Sequence, residues 1–171
     1  MAKKQIQITL NKDELLYDIE NKAYLTGRSR EDGSNHAAVS KMQADESDED
    51  RNQMYRCIGN AIATLRNHLA EWVGDANSST ANNVLETETL AYTIVLNMPM
   101  NYNTSVNGTL ASAMHQYVVN SALAEWFSMT AKEEATDYYT LAAANLQQVK
   151  DASFKRLRPT KPTPTIGMSH D

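Results

Sequence analysis

The sequence predicts a mainly α protein: a helical bundle with a long C-terminal helical hairpin, a small two-stranded β-sheet and an extended C-terminal tail. Three observations predict it. Apolar residues recur at helical spacing in four separate stretches, two short stretches have strand character, and residues 155–171 combine three prolines with four basic side chains. A chain of 171 residues is long enough to bury one core, so residues 1–154 are expected to form a single helical domain and 155–171 a tail.

Ile6, Ile8 and Leu10 alternate with polar residues, the period of a strand with one buried face. Asn11 follows as a helix N-cap, and Leu15, Leu16, Ile19, Ala23 and Tyr24 fall at helical spacing until Gly27 closes the helix. Residues 28–50 turn polar and acidic, which predicts a long loop with a short helical turn near residues 37–42. The acidic run at 45–50 suits the positive end of the helix dipole that follows it. That second long stretch places Met54, Ile58, Ala61, Ile62, Leu65, Leu69 and Trp72 on one stripe, with Gly74 as its end.

Residues 75–83 are small and polar, a loop. Residues 84–99 are rich in Thr, Val, Ile and Tyr and end at Pro99, which predicts a strand able to pair with the first. Asn103 and Ser105 are cap candidates for a third helix in which nearly every position from Leu110 to Phe127 is apolar or small, so it is expected to be central. A capping box, Thr130-Ala-Lys-Glu133, opens a fourth helix expected to reach Leu157. The short connection forces these two helices into an antiparallel hairpin. The total is three long helices and one shorter.

Hydrophobic residues at 42% and charged residues at 22% describe an ordinary soluble composition, with no apolar run of membrane-spanning length and no signal-peptide stretch at the N-terminus. A cytosolic origin and no membrane partner are expected. Net charge is −5, unevenly spread: no Lys or Arg occurs between Arg66 and Lys132, while Lys155, Arg156, Arg158 and Lys161 crowd the tail. An acidic body with a basic tail suits a tail that docks on an acidic neighbour, and it lacks the broad basic face of a duplex-DNA reader. Pro159, Pro162 and Pro164 deny the tail helix and sheet, so an ordered path for it needs another surface. Leu157, Ile166 and Met168 interleave with the charges and favour docking over a purely solvated end.

Residues of catalytic type are present without a catalytic arrangement. His36, His68, His115 and His170 stand in no motif, and neither His68 nor His115 has a ligand-type neighbour at helical metal-site spacing. Cys57 is the one cysteine and reads as a small core residue. Glu133, Glu134 and Asp137 are explained as charges at a helix start, and no phosphate loop, nucleophile elbow or calcium loop occurs. No catalytic residue, metal or cofactor is therefore expected. Trp126, Phe127, Tyr138 and Tyr139 are candidate subunit-interface residues, since aromatics are enriched at such contacts. Helical spacing equally suits a core position for Trp126, Phe127 and Tyr138.

The order strand, helix, loop, helix, strand, hairpin, with Val119-Asn-Ser-Ala-Leu-Ala-Glu-Trp-Phe-Ser-Met-Thr at the bend and Phe154-Lys-Arg-Leu-Arg-Pro-Thr-Lys-Pro at the end, resembles the head-to-tail connector, or adaptor, proteins of tailed bacteriophages and prophages of Bacteroides-type hosts. The resemblance spans most of the chain and rests on structural rather than catalytic motifs. It implies a non-enzymatic virion protein, assembled in the host cytoplasm, that forms a homo-oligomeric ring, commonly of twelve copies, at the neck between portal and tail. Its implied partners are other copies of itself, the portal protein and the next neck or tail ring, with genomic DNA passing through without specific binding. It also implies that Lys155, Arg156, Leu157, Arg158, Pro159, Thr160, Lys161 and Pro162 dock on the portal or a neighbouring subunit. The long acidic loop at 28–50 departs from the family. An acidic lumen wall drawn from residues 67–131 would repel phosphate and keep the channel slippery. Other neck or tail-completion proteins (a stopper or tail terminator), and a cytosolic helical regulator that binds proteins through its tail, are the alternatives; an enzyme built on His68 and His115 is a distant third.

Overall fold

The computed structural model describes residues 3–44, 47–74 and 90–159, without the side chain of Asp48. The expected alternation forms strand β1, Lys3–Asn11, which pairs antiparallel with β2, Ala91–Pro99. The register sets Ile6 opposite Leu96 and Ile8 opposite Ile94, so one face of the ribbon is apolar and buried. A two-stranded ribbon is marginal alone. Here its apolar face joins the core, and the far edge of β2 is partly covered by residues 72–74, through Asn97 N–H to the Trp72 carbonyl at 2.7 Å and Gly74 N–H to the Val95 carbonyl at 2.9 Å. Residues 84–89, expected to begin the second strand, lie outside the described residues, as do those of the 75–83 loop.

Helix α1, Lys12–Ser29, starts at its expected cap: the Asn11 side-chain oxygen accepts from Asp13 N–H at 3.0 Å. It does not stop at Gly27. That glycine is buried inside the helix, where a β-carbon would sit 3.3 Å from Gln43 Cγ and 3.4 Å from the Val39 carbonyl, so its role is close approach to the next element. That element is α2, His36–Met42, the short turn expected within the acidic loop. Helix α3, Asp48–His68, begins earlier than its apolar stripe, with Ser47 Oγ accepting from Asp50 N–H at 3.3 Å and acidic residues in its first turn. Trp72, expected on the helical stripe, lies beyond the helix in a turn that carries the chain to the sheet.

A 3₁₀ turn, Thr104–Val106, capped by Asn103, leads into α4, Asn107–Thr130. This helix is buried along most of its length and touches α1, α2, α3, α5 and β1, the central position its composition predicts. Helix α5, Lys132–Ser153, folds back antiparallel to it, as Asn120 to Asn145 and Phe127 to Tyr138 contacts require. There are thus four long helices and one short one among the described residues, against three long and one shorter expected.

The capping box at Thr130 does not form. Thr130 closes α4 instead, its hydroxyl donating to the Trp126 carbonyl at 3.1 Å, and Ala131 alone makes the bend without a side-chain cap. Helix α5 also ends four residues short of Leu157. Arg156 Nη1 donates to the Ser153 carbonyl at 2.7 Å, which satisfies an end-of-helix acceptor. With 22 residues, α5 is about 33 Å long rather than the 40 Å a run to Leu157 would give.

Candidate functional site

The tail begins by binding its own body. Lys155, Arg156 and Leu157 run antiparallel to residues 101–103, with Asn103 N–H donating to the Lys155 carbonyl at 3.2 Å and Leu157 N–H to the Asn101 carbonyl at 2.8 Å. Proline-free residues made this short ladder possible; Pro159 is the first without a donor. The expectation that the segment needs a foreign surface throughout is therefore corrected for its first three residues, which begin where the expected domain ends at 154 and stay on the body.

Arg156 anchors the strap on aromatic rather than acidic groups. Its guanidinium carbon lies 5.5 Å from the Trp72 ring centroid and 5.9 Å from that of Phe154, within reach of a cation–π attraction. Trp72 and Phe154 meet edge to face at 5.8 Å. Under the strap the Tyr102 side chain is fully buried, and its hydroxyl has no hydrogen-bond partner among the described residues. Burial pushes that phenol up from its ordinary pKa, with Arg156 opposing. Phe154 at 57% and Leu157 at 53% exposure remain open to solvent, as do Arg158 and Pro159. Thr160, Lys161 and Pro162 lie outside the described residues, together with Pro164, Ile166, Met168 and His170.

Beside the strap is a cleft of about 720 Å³ lined by Lys3, Glu71, Trp72, Asn97, Pro99, Met100 and Asn101. Asn101 and Trp72 belong to both cleft and strap. Gly74 fixes one wall, because a β-carbon there would overlap the Asn97 amide.

The four aromatic interface candidates divide. Trp126 and Phe127 are core residues, 5% and 0% exposed, with Trp126 Nε1 donating to the Met42 carbonyl at 2.9 Å, so the interface reading fails for both. Tyr138 is half-buried, stacked 5.3 Å from Phe127 with its hydroxyl 2.8 Å from Thr26 Oγ1. Tyr139 is exposed and remains available. Sequence reasoning missed a second set: Tyr17, Tyr24 and Leu25 of α1 and Leu141 of α5 are exposed, although Tyr24 was expected on the buried stripe. Leu25 and Leu141 line one open groove between these helices. Tyr17 and Tyr24, seven residues apart, share a helix face about 100° round from the buried Leu16 and Ala23, a spacing that could have disclosed them.

A polar seam lies beneath that groove. Lys22 Nζ donates to Gln116 Oε1 at 2.9 Å and Asn120 Oδ1 at 3.2 Å, and Asn120 Nδ2 donates to Asn145 Oδ1 at 2.7 Å. Burial lowers the Lys22 ammonium below its ordinary pKa, with the Asp18 carboxylate opposing. His115 Nε2 meets Asp18 Oδ2 at 2.8 Å, a partner 97 positions away that local spacing could not reveal.

The remaining reactive types have structural places. His36 pairs with Glu31 at 2.8 Å, and His68 is exposed at the end of α3. Cys57 is fully buried, and burial pushes its thiol up to about 12. Glu134 is held by Arg30 at 2.7 Å. Among the described residues no group of three or more potential ligands could hold a metal, and no helix is long and apolar enough to cross a membrane. The acidic-wall expectation finds little support in α4, which supplies about half of the described part of 67–131 yet is largely core; Glu71 is exposed, while Asp75, Glu86 and Glu88 lie outside the described residues. Comparison with protein-family models, with curated proteins and with solved structures returns no match.

Proposed function

We propose that this chain is a non-enzymatic virion structural protein, a head-to-tail connector whose copies form a homo-oligomeric ring between portal and tail and extend the DNA channel. The observation that carries the reading is the strap. Hydrogen bonds from Asn103 and Leu157 and the Arg156 contact with Trp72 fix the point at which the basic, proline-rich segment leaves the body. A segment meant to bridge two rings gains affinity from a fixed root, because less freedom is lost when its far end binds.

The exposed apolar residues of α1 and α5 supply the lateral contacts between copies in this reading, Leu25 and Leu141 at their centre. Arg158, Pro159, Thr160, Lys161 and Pro162 are the residues assigned to the portal or the adjacent subunit, and Lys155, Arg156 and Leu157 serve as their anchor. The ring's copy number, twelve by resemblance, and its place at the virion neck belong to the same proposal. The test is incubation with the portal ring of the phage that encodes the chain, read by mass and by electron-microscope class averages. A symmetric ring of bound copies supports the reading. Absence of binding at concentrations where both partners are folded overturns it and favours a lower neck position or a regulator.

A further inference from the structure

We infer that the cleft beside the strap is a receptor for this chain's own proline-rich segment, residues 159–166, folded back in cis in the free protein. The strap supplies the direction. Residues 155–157 run antiparallel to 103–101 and so head toward the turn at Pro99–Tyr102, closed by Tyr102 N–H to the Pro99 carbonyl at 2.9 Å; Pro99, Met100 and Asn101 of that turn line the cleft. The backbone thus heads toward the residues that line the cleft as its prolines begin, with Leu157, Arg158 and Pro159 exposed and not yet part of that lining.

Chemistry supplies the fit. Pro159-Thr160-Lys161-Pro162 spaces two prolines by one turn of a polyproline II helix, which puts both on one side. Such helices dock on aromatic-lined grooves because little conformational freedom is left to lose. Trp72, Pro99 and Met100 provide the apolar wall, and Glu71 is the acidic lining group available to Lys161. Twelve residues follow Pro159, about 37 Å in the polyproline form, ample to enter an adjacent cleft. In the free chain the docked segment keeps its prolines and Lys161 out of reach of any other partner, so engagement of that partner requires release.

The inference does not rest on the connector reading, and its test uses the free full-length chain. A spin label on Ser169→Cys is placed selectively, because Cys57 is fully buried with a thiol pushed up to about 12. The expected result is loss of the Trp72 indole signal and of the Asn97 and Asn101 amide signals in the NMR spectrum, with the Trp126 indole retained as the internal reference. Adding P159A and P162A, outside the helical core, should restore the Trp72 signal. Equal intensity of the two indoles in the labelled chain overturns the inference. So does broadening of the same size in a mixture of isotope-labelled unmodified chain with spin-labelled chain, which would move the segment to a second copy.

Discussion

Tyr102 concentrates the cost of building the strap. Its hydroxyl is buried without a partner among the described residues, and an unsatisfied buried hydroxyl costs about 1–3 kcal/mol. Tyr102→Phe should therefore leave stability unchanged or raise it in urea unfolding, whereas a loss above about 1 kcal/mol would mean the hydroxyl has found a partner. Asn120 is the opposite case: buried, it accepts from Lys22 and donates to Asn145. Asn120→Ala should cost about 1–3 kcal/mol. In a double-mutant cycle, Asn145→Ala should couple to it, and independent effects would dismiss the seam as a network. Cys57 gives a pH dependence. Its folded thiol titrates near 12, above the ordinary value of 9.0, so the folded state holds the proton longer; stability is intact below pH 9 and falls as pH rises toward 12. Cys57→Ala should flatten that alkaline slope in pH-dependent melting, although its packing loss lowers the whole curve.

The elements differ in how far local sequence fixed them. The β1 alternation was legible because period and burial agree residue by residue, and helix α4 because a stretch apolar or small on every side belongs at the centre of a core. The start of α5 was not: a Thr-x-x-Glu pattern is only a cap if its hydroxyl is free, and Thr130 spends its own on the Trp126 carbonyl. Gly27 misled for a similar reason, since a glycine that ends a helix and one that admits a neighbouring helix look alike until Val39 and Gln43 are in place. The strap, the cleft and the Asp18 to His115 pair join residues far apart in sequence, beyond the reach of any periodicity. At this scale the exposed faces of α1 and α5 carry the assembly proposal. Leu141→Glu should weaken association between copies by roughly 1–3 kcal/mol while leaving the melting temperature of the free chain nearly unchanged, because Leu141 is already exposed. Sedimentation of the portal-bound assembly checks it, and an unaltered assembly would move the lateral contact elsewhere.

At the scale of the whole molecule, one helical core with α4 at its centre holds both the hairpin and the ribbon, and the strap fixes the root of the basic segment on that body. Charge follows the same division: the span from residue 67 to 131 has no Lys or Arg, and the tail has four. That asymmetry was readable from composition, whereas the aromatic seat of Arg156 was not, because Trp72 and Phe154 meet only after folding. The most direct test compares portal binding of the full chain with a chain ending at Pro159, which keeps every strap hydrogen bond and removes only the distal segment. The account predicts ring formation on the portal by the full chain and a loss of tenfold or more in affinity for the shortened one, about 1.4 kcal/mol or greater. Equal binding by the two would contradict the role of the basic segment as the anchor, and with it the central claim.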